Sequence, residues 1–166
     1  MTKKKSAPKA GRSDSPTSRG GRGSPPVSTG QPHSTEGLDG AMRALTLALD
    51  KKALEPVLLD VRHLCSFCNY QLVISGRSER QVDAIADAIE LGLKDEGMRA
   101  ISTEGARTGQ WALLDYGDFV IHVFLHSARE HYDLEGLWND APRVPIDVPA
   151  DARIPDDEHY EPSPVP

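Results

Sequence analysis

Aromatic side chains are scarce in this chain, with three Phe, two Trp and four Tyr among 166 residues. Cysteine is scarcer still: Cys65 and Cys68 are the only two, which excludes a disulfide framework as what holds the fold. No apolar run approaches the roughly 18 residues a membrane-spanning helix needs. The best, Phe119 to Leu125, is interrupted by His122. Proline is nearly missing from the middle. Of thirteen, five lie in 1–36, one (Pro56) in 37–138 and seven in 139–166. Proline is poorly tolerated inside helices and central strands, so the folded domain is expected at 37–138, between a head and a tail.

Charge divides at the same places. The head carries seven basic and two acidic residues, the middle ten and sixteen, and the tail two and seven. The head is too poor in apolar side chains to offset the entropy of folding, so a disordered basic Gly/Ser/Pro-rich segment is expected there. It is not a secretory signal, because no apolar segment follows Lys3, Lys4 and Lys5. Its glycines and prolines also oppose the amphipathic helix of an organelle transit peptide. A soluble, cytoplasmic protein with no membrane association is the expectation. The tail, with Pro142, Pro145, Pro149 and Pro155, reads as an acidic, extended, solvated segment. The alternative lays part of it along the domain through Val144, Ile146 and Val148.

Within the middle, Leu38, Ala41, Met42, Leu45, Ala48 and Leu49 keep the spacing of an amphipathic helix over about 38–53. Pro56 then turns the chain extended. VLLDV (57–61) and YQLVIS (70–75) read as strands on either side of the connection RHLCSFCN. Ser78 and Gln81 form a capping-box pair ahead of Val82, Ile85, Ala86, Ile89 and Leu93, with Gly97 as the stop. A weak edge strand is expected at 99–104, and stronger ones at 111–115 and 119–124, joined by a tight turn at Tyr116-Gly117. FVIHVF is apolar on both faces, as a central strand is. Ser127 with Glu130 predicts a second capping box, opening a last helix that carries Tyr132, Leu134, Leu137 and Trp138 near its end. The order α-β-β-α-β-β-β-α predicts an α/β or α+β domain built on a mixed five-stranded sheet flanked by helices.

Each candidate for chemistry meets a plainer alternative. Asp115 and Asp118 in DYGD bracket the predicted turn, where Asp is itself a turn-former, so a metal or acid/base pair is the weaker reading. CSFC (65–68) has the spacing of half a zinc site with no second half, and no helix pattern follows it as a thioredoxin-like motif requires. Two small buried hydrophobes in a reduced compartment is the better expectation. His122 and His126, four apart on a strand, would lie about 13 Å apart, too far to share an ion. No GxSxG, P-loop or GxGxxG occurs in the folded part. RGGRG (19–23) resembles the Arg/Gly segments that contact RNA without sequence selectivity, and a solubilising flexible head is an equal alternative. No cofactor and no metal are expected.

What remains is an aromatic concentration. Residues 111–138 hold both Trp, two of the three Phe and three of the six His, the density of a core or of a contact surface. Through VLLDV, VISGRSERQVDAIADAI (73–89), Glu104-Gly105, WALLDYGDFVIHVF and REHYDLEGLW, residues 55–138 resemble the ribosomal silencing factor (Iojap-like) family. The resemblance implies a fold similar to nucleotidyltransferases without their catalytic residues or activity. It also implies binding to the large ribosomal subunit through large-subunit ribosomal protein fourteen, which blocks subunit joining and represses translation when nutrients are short. It carries over to Trp111, Leu114, Asp115, Tyr116, Gly117, Asp118, His122, Phe124, Arg129, Tyr132, Leu134, Glu135, Leu137 and Trp138, with Gly76, Ser78 and Arg80 shaping a turn and helix entry. Of these, Trp111, Asp115, Tyr116, Gly117, Asp118, His122, Arg129, Tyr132, Leu134, Glu135, Leu137 and Trp138 are the expected partner-binding set, with 129–138 facing the partner. Cys68-Asn69 stands where the family commonly has Thr-Asp.

The acidic middle independently suits a basic ribosomal protein better than it suits RNA. An exposed aromatic surface serves a homodimer equally well. The rival reading is a metal-dependent nucleotidyltransferase, suggested by SGRS (75–78) and the acidic residues after it. That chemistry needs clustered carboxylates, whereas Asp83 and Asp87 fall on a helix and DYGD on a turn.

Overall fold

The computed structural model describes residues 36–105 and 109–155. The Arg/Gly-containing head lies outside the described residues. The chain forms α1 (Leu38–Asp50), β1 (Leu54–Asp60), β2 (Tyr70–Gly76), α2 (Glu79–Asp95), β3 (Ser102–Glu104), β4 (Trp111–Asp115), β5 (Phe119–Leu125), α3 (His126–Tyr132), α4 (Leu134–Leu137) and a 3-10 turn at Ala150–Ala152. The sheet runs β1-β2-β5-β4-β3. β2 and β5 are parallel, and the other three pairings are antiparallel. The expected mixed five-stranded α+β domain is what the sequence forms.

Alternation along the strands sorts the core into two layers. Leu58, Tyr70, Leu72, Ile74, Ala112, Leu114, Phe119, Ile121 and Val123 face α1 and α2, whose Ala41, Leu45, Ile85, Ile89 and Leu93 are buried against them. Burying each of the larger aliphatic side chains contributes roughly 1.5–3 kcal/mol. On the other face Leu59, Val61, Cys68, Val73, Val120, Phe124 and Ala141 form a smaller layer, edged by half-buried Trp111, Leu113, Leu134 and Trp138. The two central strands are therefore buried on both sides, as FVIHVF predicts.

Local signals set the entry to α2. The Ser78 hydroxyl accepts from the Gln81 N–H at 3.1 Å. The Gln81 side-chain oxygen Oε1 accepts from the Arg77 N–H at 2.7 Å, one residue before the position a capping box uses. The Gln81 amide also donates to the carbonyls of Lys51 and Lys52 at 3.2 and 3.0 Å, tying α2 to the end of α1. Gly76 is required by close approach, because a Cβ there would stand 3.0 Å from the Val82 nitrogen. SGRS thus serves as a strand-to-helix junction.

Three expectations are corrected. β1 starts at Leu54 rather than 57, and Pro56 lies inside it: Glu55 has φ 46 and the register shifts between Leu54 and Val57, a bulge that accommodates an imino acid in an edge strand. Ser127 does not cap the last helix. The chain passes from β5 directly into α3, with extended Leu125 at the N-cap and no side-chain cap. That helix is also not continuous, because Asp133 adopts φ 41 and its carboxylate accepts from the Gly136 N–H, starting the short α4.

The sequence favours a solvated tail, yet 141–154 follows β1 as a strap. The Asp60 N–H donates to the Pro142 carbonyl at 2.8 Å and the Val144 N–H to the Leu58 carbonyl at 2.8 Å. Val144 and Ile146 pack on the first core layer, and Ala141 and Ala152 are buried. Farther along, the Ile154 N–H donates to the Glu55 carboxylate.

Candidate functional site

DYGD is a turn built by its own side chains. Gly117 takes φ 84, which an L residue adopts only under strain, and the Asp115 carboxylate accepts from the Gly117 N–H at 2.8 Å. The Tyr116 N–H donates to the Phe119 carbonyl at 3.0 Å. The Asp118 carbonyl accepts from the N–H groups of Asn69 and Tyr70, so the tip is fastened to the start of β2. Of the four, Asp118 is exposed and the others are half-buried. Tyr116 stacks on Phe119 with ring centroids 4.9 Å apart, toward the layer covered by α1 and α2, and burial pushes its hydroxyl up to about 12.

Trp111, His122, Phe124 and Tyr132 make an aromatic group on the opposite face. Trp111 lies 5.3 Å from Phe124, 5.9 Å from His122 and 4.9 Å from Tyr132. Its indole N–H donates to His122 Nδ1 at 3.2 Å, so the neutral ring carries its proton on Nε2. His122 is buried, and desolvation holds its pKa down at about 4. It lies beneath the surface as part of the support, where a contact residue was expected.

That burial sets a pH dependence. At and above neutrality the ring is uncharged in both states and contributes nothing to it. As pH falls below 6.5 the unfolded chain takes up a proton that the folded chain refuses down to about 4, so stability falls with falling pH, by about 3 kcal/mol across the window. His126, also lowered by burial, acts with the same sign. Urea titrations across this range are expected to show the slope in the parent protein and a clear flattening in His122→Phe.

Arg129 is likewise not a surface contact. It is 8% exposed, with its Nε donating to the Glu135 carboxylate at 2.6 Å and NH1 donating to the Glu55 carbonyl at 2.6 Å and the Ser75 hydroxyl at 3.0 Å. It pins β1, β2 and α4 together. Arg143 stands 3.8 Å from the other Glu135 oxygen, so Glu135 is held between helix and strap.

What this support presents is small and apolar. Leu137 is 74% exposed and Tyr132 45%. Trp138 and Leu134 are half-buried beside them, packed on the second core layer. The expected set therefore separates into a turn (Asp115, Tyr116, Gly117, Asp118), a buried support (His122, Arg129, and in part Trp111 and Glu135) and a presented group (Tyr132, Leu134, Leu137, Trp138). Sequence reasoning passed over Phe67, 71% exposed, and Leu64, 46% exposed, on the 61–69 loop that covers the end of this face. A Phe in a polar connection was the available signal.

Among the described residues no three His, Cys, Asp or Glu side chains are placed to hold a metal ion, and no helix is long and apolar enough to cross a membrane. Asp83 and Asp87 sit on α2, apart from DYGD, so the carboxylates are not gathered as nucleotidyl transfer requires.

These features define a sheet-based binding module, with an aromatic and aliphatic group held up by buried polar pins. The model of the family described as "Ribosomal silencing factor during starvation" matches residues 34–164, and the chain belongs to that family. It is 39% identical over 89 residues to the ribosomal silencing factor RsfS of Chromobacterium violaceum, covering 54% of this chain and 73% of that protein. The corresponding protein of Halalkalibacterium halodurans is 38% identical over 98 residues, covering 59% and 84%. Relatives from plants carry the names Iojap, chloroplastic, and Iojap-related, mitochondrial. A crystal structure of a Chromobacterium violaceum protein superposes with a TM-score of 0.61 at 34% identity, covering 68% of this chain and 93% of that one.

Proposed function

We propose that this chain binds the large ribosomal subunit through large-subunit ribosomal protein fourteen and sterically keeps the small subunit from joining, so that translation falls. The observation that carries the reading is the family match over 34–164. The exposed Leu137 and Tyr132 beside Trp138, on a middle segment with sixteen acidic and ten basic residues, support a basic protein as the partner. No reaction is assigned. The action is placed in the cytoplasm, with the domain at 37–138, the acidic tail as its strap and the basic head adding weak, salt-sensitive contact to RNA.

Sedimentation of purified large and small subunits with the protein tests this. Saturating protein is expected to leave the subunits apart, and unimpeded joining would sink the proposal. Leu137→Asp is expected to weaken large-subunit binding by roughly tenfold or more while the urea midpoint stays put, because its side chain is mostly in solvent. Deleting 1–34 is expected to reduce association at low salt only. A sedimentation series of the protein alone distinguishes monomer from homodimer.

A further inference from the structure

Cys65 and Cys68 are both free, and their sulfurs stand 3.4 Å apart. The loop that carries them is closed at its base, where the Val61 N–H donates to the Asn69 carbonyl at 3.0 Å. Inside it the N–H groups of Leu64 and Cys65 both donate to the Val61 carbonyl, at 3.0 and 2.8 Å. The far end is tied to the hairpin tip by the Asn69 N–H on the Asp118 carbonyl, at 2.7 Å. Cys68 is buried in the second core layer, with the Gln71 amide donating to its sulfur at 3.8 Å, and Cys65 is half-exposed above it. Two thiols on a loop with both ends fixed meet at high effective concentration, one partly buried and the other fully buried.

We propose that Cys65 and Cys68 are a modification site: a dithiol that peroxide converts to an intramolecular disulfide and that a thiol reductant restores. The two residues have different parts. Cys65 is the less buried of the two, which makes it the sulfur that meets the oxidant. Burial, followed by the adjacent Cys65 sulfur, pushes the Cys68 thiol up to about 12, so it stays protonated and acts second.

In the first step the Cys65 thiolate attacks one oxygen of hydrogen peroxide. The O–O bond breaks, hydroxide leaves and takes a proton to become water, and Cys65 becomes a sulfenic acid. In the second step the Cys68 sulfur attacks the Cys65 sulfur. The S–O bond breaks, and the departing hydroxide takes the Cys68 proton. Two thiols and one peroxide give one disulfide and two waters, with two electrons passing from sulfur to oxygen. The sulfurs must close to about 2.05 Å. The intervening residues are Ser66 and Phe67, both exposed, so the core does not need to repack.

The test uses the native full-length protein, treated with hydrogen peroxide, quenched with iodoacetamide and weighed intact. The expected product is a monomer lighter by two hydrogens that takes up no alkyl group, and that recovers two alkylatable thiols after dithiothreitol. In Cys68→Ser, dimedone is expected to trap a sulfenic acid at Cys65. Cys65→Ser is expected to react with peroxide at least about tenfold more slowly than the parent. Circular dichroism confirms that both variants fold. Four outcomes would overturn the proposal: two alkylated thiols after peroxide, a disulfide between chains, Cys65 carrying two added oxygens while Cys68 stays alkylatable, or thiols shielded until a chelator is added.

Discussion

Arg129→Ala is expected to lower the free energy of unfolding by about 3–5 kcal/mol in urea titrations, more than any surface change in the chain. The guanidinium is buried, and removing it leaves the Glu55 carbonyl, the Ser75 hydroxyl and the Glu135 carboxylate without their donor. The Glu55 carbonyl and Ser75 hydroxyl then carry their desolvation cost, while Glu135 keeps Arg143 at 3.8 Å. Arg129→Lys keeps the charge but not the fork that reaches three acceptors, so it is expected to recover less than half of the loss. A second reading separates a pin from a binding residue. If Arg129 only positions α4, a variant tested well below its unfolding midpoint retains much of its large-subunit affinity, whereas Leu137→Asp loses affinity without losing stability.

Phe124→Ala is expected to cost a similar amount, about 3–5 kcal/mol. The ring is fully buried and lies under Trp111 and Tyr132 and beside His122, at centroid distances of 5.3, 5.8 and 6.1 Å. Its removal opens a cavity beneath the aromatic group that the presented surface rests on. The expected result is a lower urea midpoint together with weaker large-subunit binding, since Tyr132 loses its floor. Phe124→Leu fills most of the space and is expected to cost about half as much. Unchanged stability in Phe124→Ala would show that the aromatic group is not the support described.

Elements with local causes were legible in the sequence. The Ser78 cap, the apolar stripe of α2 and the Asp115-Gly117 turn each depend on residues within a few positions, and each forms where the pattern puts it. What was not legible depends on distant chain. Arg129 looks like an ordinary helix-surface charge until Glu55 and Ser75, 74 and 54 residues away, are brought beside it. Ser127 and Glu130 have the spacing of a cap, but the chain enters α3 straight from β5, leaving no turn for a cap to close. The strap escaped because proline-rich, acidic composition describes exposure, while its hydrogen bonds belong to the free side of β1. Cys65 and Cys68 read as inert hydrophobes for the same reason, since spacing alone does not say that a loop closed at its base brings the two sulfurs to 3.4 Å.

The strap also limits what the sheet can become. A sheet with two bare ends can add copies indefinitely, as a growing polymer does. Here the Asp60 N–H and the Leu58 carbonyl are taken by 142–144, and the Glu55 carbonyl by Arg129. The strap itself offers a poor template, because Pro142, Pro145 and Pro149 have no N–H to give. Among the described residues β3 is then the one bare end, and strand pairing through it uses up that end in both molecules. Any strand pairing between copies would therefore stop at two rather than propagate.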